Sequence, residues 1–170
     1  MGWMGTALLT VACVGIGETA KAQAQTAALP RLRAASPIIA TALELGAERS
    51  PAFRALVARI GLTDGIVFVR EGVCGHSVRA CLHLSVSIAG PYRALFIQVD
   101  TRKVRGCELV GAIGHELQHA IEVLGDSNVR DGVAMLLFYH RIGPTASRRF
   151  ETEAAIQTGL EVERETCRAH

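Results

Sequence analysis

His115-Glu116-Leu117-Gln118-His119 sets two imidazoles four residues apart, with a carboxylate next to the first. On an α-helix that spacing brings both imidazoles to one face, one turn apart. Imidazole nitrogen is a zinc ligand, and a carboxylate at the second position suits a general base that takes a proton from water. A catalytic zinc site needs a third protein ligand and an open position. One pattern that supplies the third ligand continues the same stretch with a Gly and then a His. Here those positions hold Glu122 and Gly125, which excludes the metzincin class. The other pattern takes a Glu from a later helix, and Glu151 and Glu153 are the two candidates. If that segment is helical from about Arg148, Glu151 shares a face with Ala154, Ala155 and Thr158, while Glu153 lies with Arg149, Ile156 and Leu160. Small residues permit close approach of another helix, so Glu151 is preferred and Glu153 stays as the alternative. Glu122, one turn beyond His119, suits a residue that orients a ligand.

The elements that must position these groups are readable from periodicity. The motif helix is expected from Cys107 to Leu124, with Gly125 as its stop. Val110, Ile113, Leu117, Ile121 and Leu124 form one apolar stripe, and the two His lie nearly opposite it. Ser36-Pro37 and Ser50-Pro51 each pair an N-cap with a proline in the first turn and start two helices, ended by Gly46 and Gly61. Ile66–Val69 is a short strand. Leu82, Leu84, Val86 and Ile88 alternate with polar residues as one half-buried strand. Ala89-Gly90-Pro91 turns into a return strand, Tyr92 to Val99. Asp126-Ser127 is expected to cap a helix that ends near Gly143-Pro144, and a last helix covers Arg148 to Glu165. The fold class is therefore α+β: N-terminal helices, a small antiparallel sheet, the motif helix and C-terminal helices.

His115-Glu116-Leu117-Gln118-His119 with a downstream Glu151 resembles the gluzincin type of zinc metallopeptidase. Gly114 to Val123, Tyr139 with Arg141-Ile142-Gly143, and Phe150-Glu151-Thr152 with Ala154-Ala155 and Gly159 are more closely similar to a group of small exported bacterial proteins of uncharacterised function. The resemblance spans about residues 36–165. It implies a zincin-like fold, a zinc ion on His115, His119 and Glu151, Glu116 as the base, and Tyr139 as a donor to a developing oxyanion. Phe-Glu-Thr is the recurring part in that group, which again favours Glu151. Gluzincins often carry an Asp four residues after the third ligand, where this chain has Ala155.

Composition bounds the setting. At 170 residues, with 49% hydrophobic and 20% charged, the chain is one globular domain with a core. Lys+Arg 18 against Asp+Glu 16 leaves a formal charge of +2 and no basic cluster, so nucleic acid is not an expected partner. Residues 1–24 read as a signal peptide: Ala7 to Ile16 is an apolar run too short to span a membrane, and Ala22-Gln23-Ala24 fits a cleavage site, although no Lys or Arg precedes Lys21. Thr10-Val11-Ala12 before Cys13 departs from a lipidation pattern. Residues 25–35 are expected as a flexible lead-in to one domain, 36–170. Removal of the leader leaves Cys74, Cys81, Cys107 and Cys167. A Cys74–Cys81 bridge across a short loop is favoured, with Cys107 and Cys167 paired or free. The expectation is a secreted or periplasmic protein, not inserted in a membrane after cleavage, that hydrolyses peptide or protein substrates with zinc. The alternative is a non-catalytic exported zinc-binding module.

Overall fold

Ser36 and Ser50 do start helices. Ser36 Oγ accepts from Ile39 N–H at the head of α1 (Pro37–Arg49), and Ser50 Oγ accepts from Phe53 N–H at 2.9 Å at the head of α2 (Pro51–Gly61). In this computed structural model, residues 1, 29–75, 78–142 and 151–168 are described. The expected leader with its Ala24 cleavage site, residues 25–28, His76, Gly143 to Phe150 and His170 lie outside them. The remaining helices are α3 (Gly106–Leu124), α4 (Gly132–Ile142) and α5 (Glu153–Cys167). Gly46 does not stop α1. It sits inside the helix, where a Cβ would come within 2.9 Å of Phe53 and Val110, so it lets α1 pack closely on its neighbours. Ser50 then closes α1 through its N–H to Gly46 O and opens α2 through its side chain.

The strands are β1 (Leu32–Ala34), β2 (Gly65–Glu71), β3 (Ala80–Leu82), β4 (Ser87–Ala89) and β5 (Tyr92–Val99). They form a five-stranded sheet in the order β1-β2-β5-β3, with β4 also paired to β5. The sheet is mixed, not antiparallel: β1 and β5 both run parallel to β2, while β3 and β4 are antiparallel to β5. The expected lead-in holds β1, whose Leu32 is buried, because Leu32 to Ala34 adds a strand beside Val67 to Val69. The single strand expected over Leu82–Ile88 is two. The strand is interrupted after His83, whose N–H still donates to Phe96 O at 2.8 Å, and both Leu84 in the interruption and Ile88 in β4 are exposed. The β4–β5 hairpin is as expected, with Gly90 at φ +59° in its turn.

Val67, Val69, Leu95, Ile97 and Val99 form the core with Phe53, Ile60, Val110, Ile113 and Leu117. The apolar stripe of α3 faces this core. Its other side does not face solvent, because α5 packs along it. Gly111, Gly114 and Gly159 make the seam tight: a Cβ on Gly159 would stand 2.9 Å from His115 Cβ, and one on Gly114 would stand 3.0 Å from Val162. The two cysteine pairs stand at disulfide distance, Cys74–Cys81 with Cα atoms 5.8 Å apart and Cys107–Cys167 with 5.2 Å. The second ties the start of α3 to the end of α5 and, over a sequence separation of 60, is worth on the order of 4 kcal/mol by chain entropy. Glu165 fastens the same end of α5 to α2, accepting from Ser50 Oγ at 2.6 Å and Ala52 N–H at 3.0 Å.

The far end of α3 is held differently. Gly125 ends the helix, but at φ −67° and not in the left-handed conformation. The carbonyls there are taken by Arg93 of β5, whose side chain is 2% exposed. Nη2 donates to Leu124 O at 2.7 Å, and Nη1 donates to Asp126 O at 2.7 Å and Val129 O at 3.0 Å. Nε and Nη2 also hold Asp64. Asp126 does not cap α4. It closes a turn by accepting from Asn128 N–H, and Asp131 caps α4 by accepting from Ala134 N–H at 2.8 Å.

The Gly159 contact gives a direct test of the seam. Gly159→Ala is expected to destabilise the protein by about 1–2 kcal/mol in urea unfolding, because overpacking outweighs the helix-propensity gain of roughly 1 kcal/mol. An unchanged or raised midpoint would show that α3 and α5 separate without cost.

Candidate metal centre

The α3–α5 seam ends at the chemistry. His115, Glu116, His119 and Glu122 project from α3, and Glu151 comes from the chain just ahead of α5. His115 Nε2 stands 3.0 Å and His119 Nε2 3.9 Å from Glu151 Oε2. The three residues offer one ligand atom each within 4.8 Å of one another. Glu151 is therefore brought to the two imidazoles as expected, but not for the helical reason. The last helix starts at Glu153, with Thr152 as its N-cap, so Glu151 lies outside it and shares no helical face with Ala154 and Ala155. Glu153 is exposed and accepts from Gln157 Nε2 at 2.7 Å, away from the imidazoles.

His119 is oriented by a neighbour on its own helix. Glu122 Oε2 lies 3.0 Å from His119 Nδ1. A carboxylate at that position only accepts, so Nδ1 carries a proton and the ring is held with Nε2 pointing toward Glu151. Glu122 Oε1 accepts from Thr152 Oγ1 at 2.7 Å and from Gln118 Nε2 at 3.2 Å. Gln118 in turn accepts from Arg59 Nη1 of α2 at 3.0 Å. Glu116 is 6% exposed, and its Oε2 accepts from the Leu82 backbone N–H at 2.7 Å. That N–H belongs to the end of β3, one residue beyond the Cys74–Cys81 bridge. Tyr139 of α4 is buried, with its ring edge-on to His119 at 5.8 Å between centroids.

The charges follow from these contacts. Hydrogen bonds from His115 and His119 hold Glu151 well below the usual carboxylate range, against the desolvation that opposes them. Burial works against charge on His119, but the hydrogen bonds with Glu122 and Glu151 outweigh it and raise its pKa to about 9. Burial also pushes Glu122 upward, and its bonds with His119, Thr152 and Gln118 bring it down on balance. Glu116 is raised by burial, partly offset by the two imidazoles and the Leu82 N–H. Burial and the surrounding carboxylates raise Tyr139, so its hydroxyl keeps its proton through the neutral range. Three carboxylates thus surround two imidazoles, and among the described residues no Lys or Arg pairs with them. Two imidazole nitrogens and one carboxylate oxygen converging in an acidic surrounding fit a zinc ion by donor type and number.

Leu82, Gln118 with Arg59, and Thr152 were not anticipated from residue types. Only Thr152 carried a signal, as an N-cap residue three positions before Ala155. The Leu82 contact is made by backbone and has no signature in sequence. No family model, curated protein or solved structure matches the chain. Among the described residues, no helix is long and apolar enough to cross a membrane. The two cysteine pairs are compatible with an exported protein.

Proposed function

We propose that the protein is an exported zinc-dependent peptidase of the gluzincin type, with a zincin-like fold and a peptide or protein substrate. The observation that carries this is the convergence of His115, His119 and Glu151 within 4.8 Å, with the buried Glu116 carboxylate on the same helix turn. A zinc ion held by those three residues supplies a water acidified to a pKa of about 7 and an electrophile for the substrate carbonyl. Glu116 takes the proton from the water and delivers it to the leaving amine. Its burial raises its proton affinity, which suits a group that must both accept and return a proton near neutral pH. The Leu82 N–H fixes one carboxylate oxygen and leaves the second for that transfer. Glu122 keeps His119 in the tautomer that presents Nε2. Tyr139, whose ring lies edge-on to His119, is the proposed donor to negative charge developing on the substrate oxygen.

What favours the second proposal, a zinc-binding module without catalysis, is Ala155, which stands where gluzincins often carry an Asp. The ligand set is tested by zinc affinity under chelator competition. Glu151→Ala is expected to weaken zinc binding by more than about 100-fold, beyond the roughly 10–100-fold that loss of an outer partner costs, while Glu153→Ala stays within about twofold of wild type. The reverse order would move the third ligand to Glu153. Unchanged zinc content by elemental analysis in both His115→Ala and His119→Ala would end the zinc proposal.

A further inference from the structure

We infer that Thr152 is a positioning residue that clamps the Glu151 segment onto α3 and, through Glu122, sets the orientation of His119. This rests on the zinc ligand set proposed above. Thr152 has an ordinary duty as N-cap of α5, accepting the Ala155 N–H at 3.1 Å. That N–H is a donor, so the one hydroxyl proton is left to go elsewhere. It goes to Glu122 Oε1, 2.7 Å away and 30 residues distant in sequence. Glu122 then has its two oxygens divided. Oε1 takes Thr152 from α5 and Gln118 from α3, and Oε2 takes His119 Nδ1.

The placement gives this contact leverage. α5 runs back along α3 and is fastened to its start by Cys107–Cys167. The glycines at 111, 114 and 159 close the middle of the seam. At the other end, Thr152 Oγ1 donates to Glu122 of α3, and the adjoining Glu151 meets His115 of the same helix at 3.0 Å. Loss of the hydroxyl leaves the Glu151 segment held to α3 by its contacts with the two imidazoles, and leaves the Glu122 carboxylate with fewer partners. The two changes reach two of the three ligands: Glu151 directly, as the adjoining residue, and His119 through the orientation of its ring.

A capping role alone and a clamping role predict different couplings. Zinc affinity is measured by chelator competition on the full chain for Thr152→Val, Thr152→Ser, Glu122→Ala and the double variant Thr152→Val with Glu122→Ala. Thr152→Val is expected to weaken zinc about 10–100-fold and Thr152→Ser to stay within about threefold of wild type. In the Glu122→Ala background, Thr152→Val is expected to add less than about threefold, since the group it acts through is gone. Equal losses in the two backgrounds would reduce Thr152 to a helix cap and overturn the inference while leaving the zinc site standing. So would wild-type affinity in Thr152→Val. Metal-free unfolding midpoints separate the cap, which lowers them alike in both backgrounds. If Thr152→Val does not fold, Thr152→Ala replaces it in the same cycle with the same expected values. A wild-type chain that takes up no zinc overturns this inference and the ligand set together.

Discussion

Glu116→Gln is expected to keep zinc at wild-type stoichiometry and to lower peptide hydrolysis by about 10²–10⁴-fold in kcat, the range that a positioned general base contributes. The substitution is nearly isosteric. A glutamine oxygen can still accept the Leu82 N–H that Glu116 accepts at 2.7 Å, so β3 and α3 keep their contact. The amide cannot take a proton from water. It also carries no charge into a site that is 6% exposed, so the metal-free variant is expected to be no less stable than wild type in urea unfolding. Stability and zinc content together then separate a chemical loss from a folding defect. Turnover that survives in Glu116→Gln would remove Glu116 from the role of base. A wild-type chain that holds stoichiometric zinc and cleaves nothing in a broad peptide library would favour the non-catalytic module.

Arg93→Met should cost about 3–5 kcal/mol in urea unfolding, the range for breaking one partner out of a buried charged network. Arg93 is 2% exposed and its donors are distributed over Asp64 and the carbonyls of Leu124, Asp126 and Val129. Methionine fills similar volume and supplies none of these bonds. Asp64, with a side chain 36% exposed, can return to water, but the helix-end carbonyls lie under the sheet and cannot do so as easily. Arg93→Lys should recover only part of the loss, because three donors on a point charge cannot replace a five-donor planar fork. The metal centre lies toward the other side of the helix, so zinc affinity should fall far less than stability does. A cost below about 1 kcal/mol for Arg93→Met would show that the α3 terminus is satisfied by water or by its own last turn.

These two residues mark the boundary of what residue order discloses. Glu116 is legible because its neighbours on the same helix define its role: two His at a spacing of four leave the carboxylate between them little other chemistry. The helix starts at Ser36-Pro37 and Ser50-Pro51 and the Gly90-Pro91 turn are legible for the same reason, since a cap and its first turn are contacts within a few residues. Arg93 looks like any charged residue at an alternating strand position. Its role depends on β5 passing beneath the end of α3, a relation of residues about thirty apart that no local pattern records. Gly46 shows the same limit from the other side: its type suggests a helix stop, yet it is a packing contact inside α1, whereas Gly125 does end α3, with the carbonyls there completed by an arginine from the sheet.

For the candidate centre itself, residue types and short-range spacing determined the pair of imidazoles on one helix face, the carboxylate beside them, the suitability of Glu122 as an orienting group and the pair of candidates for a third ligand. Folding brings Glu151, and not Glu153, within reach of the two imidazoles, and by a different route from the facing of a helix. Thr152 starts α5 one residue after Glu151, so Glu151 stays in extended chain where its side chain reaches His115, while Glu153 turns outward in the first helical turn. Folding also supplied the Leu82 N–H, the Thr152 bridge and the Cys107–Cys167 tie, all contacts between segments far apart in the chain. Local geometry is carried by the residues themselves. Donors that arrive from another strand or helix exist only once the glycine seam lets α5 lie against α3 and the β3 edge comes to rest over it.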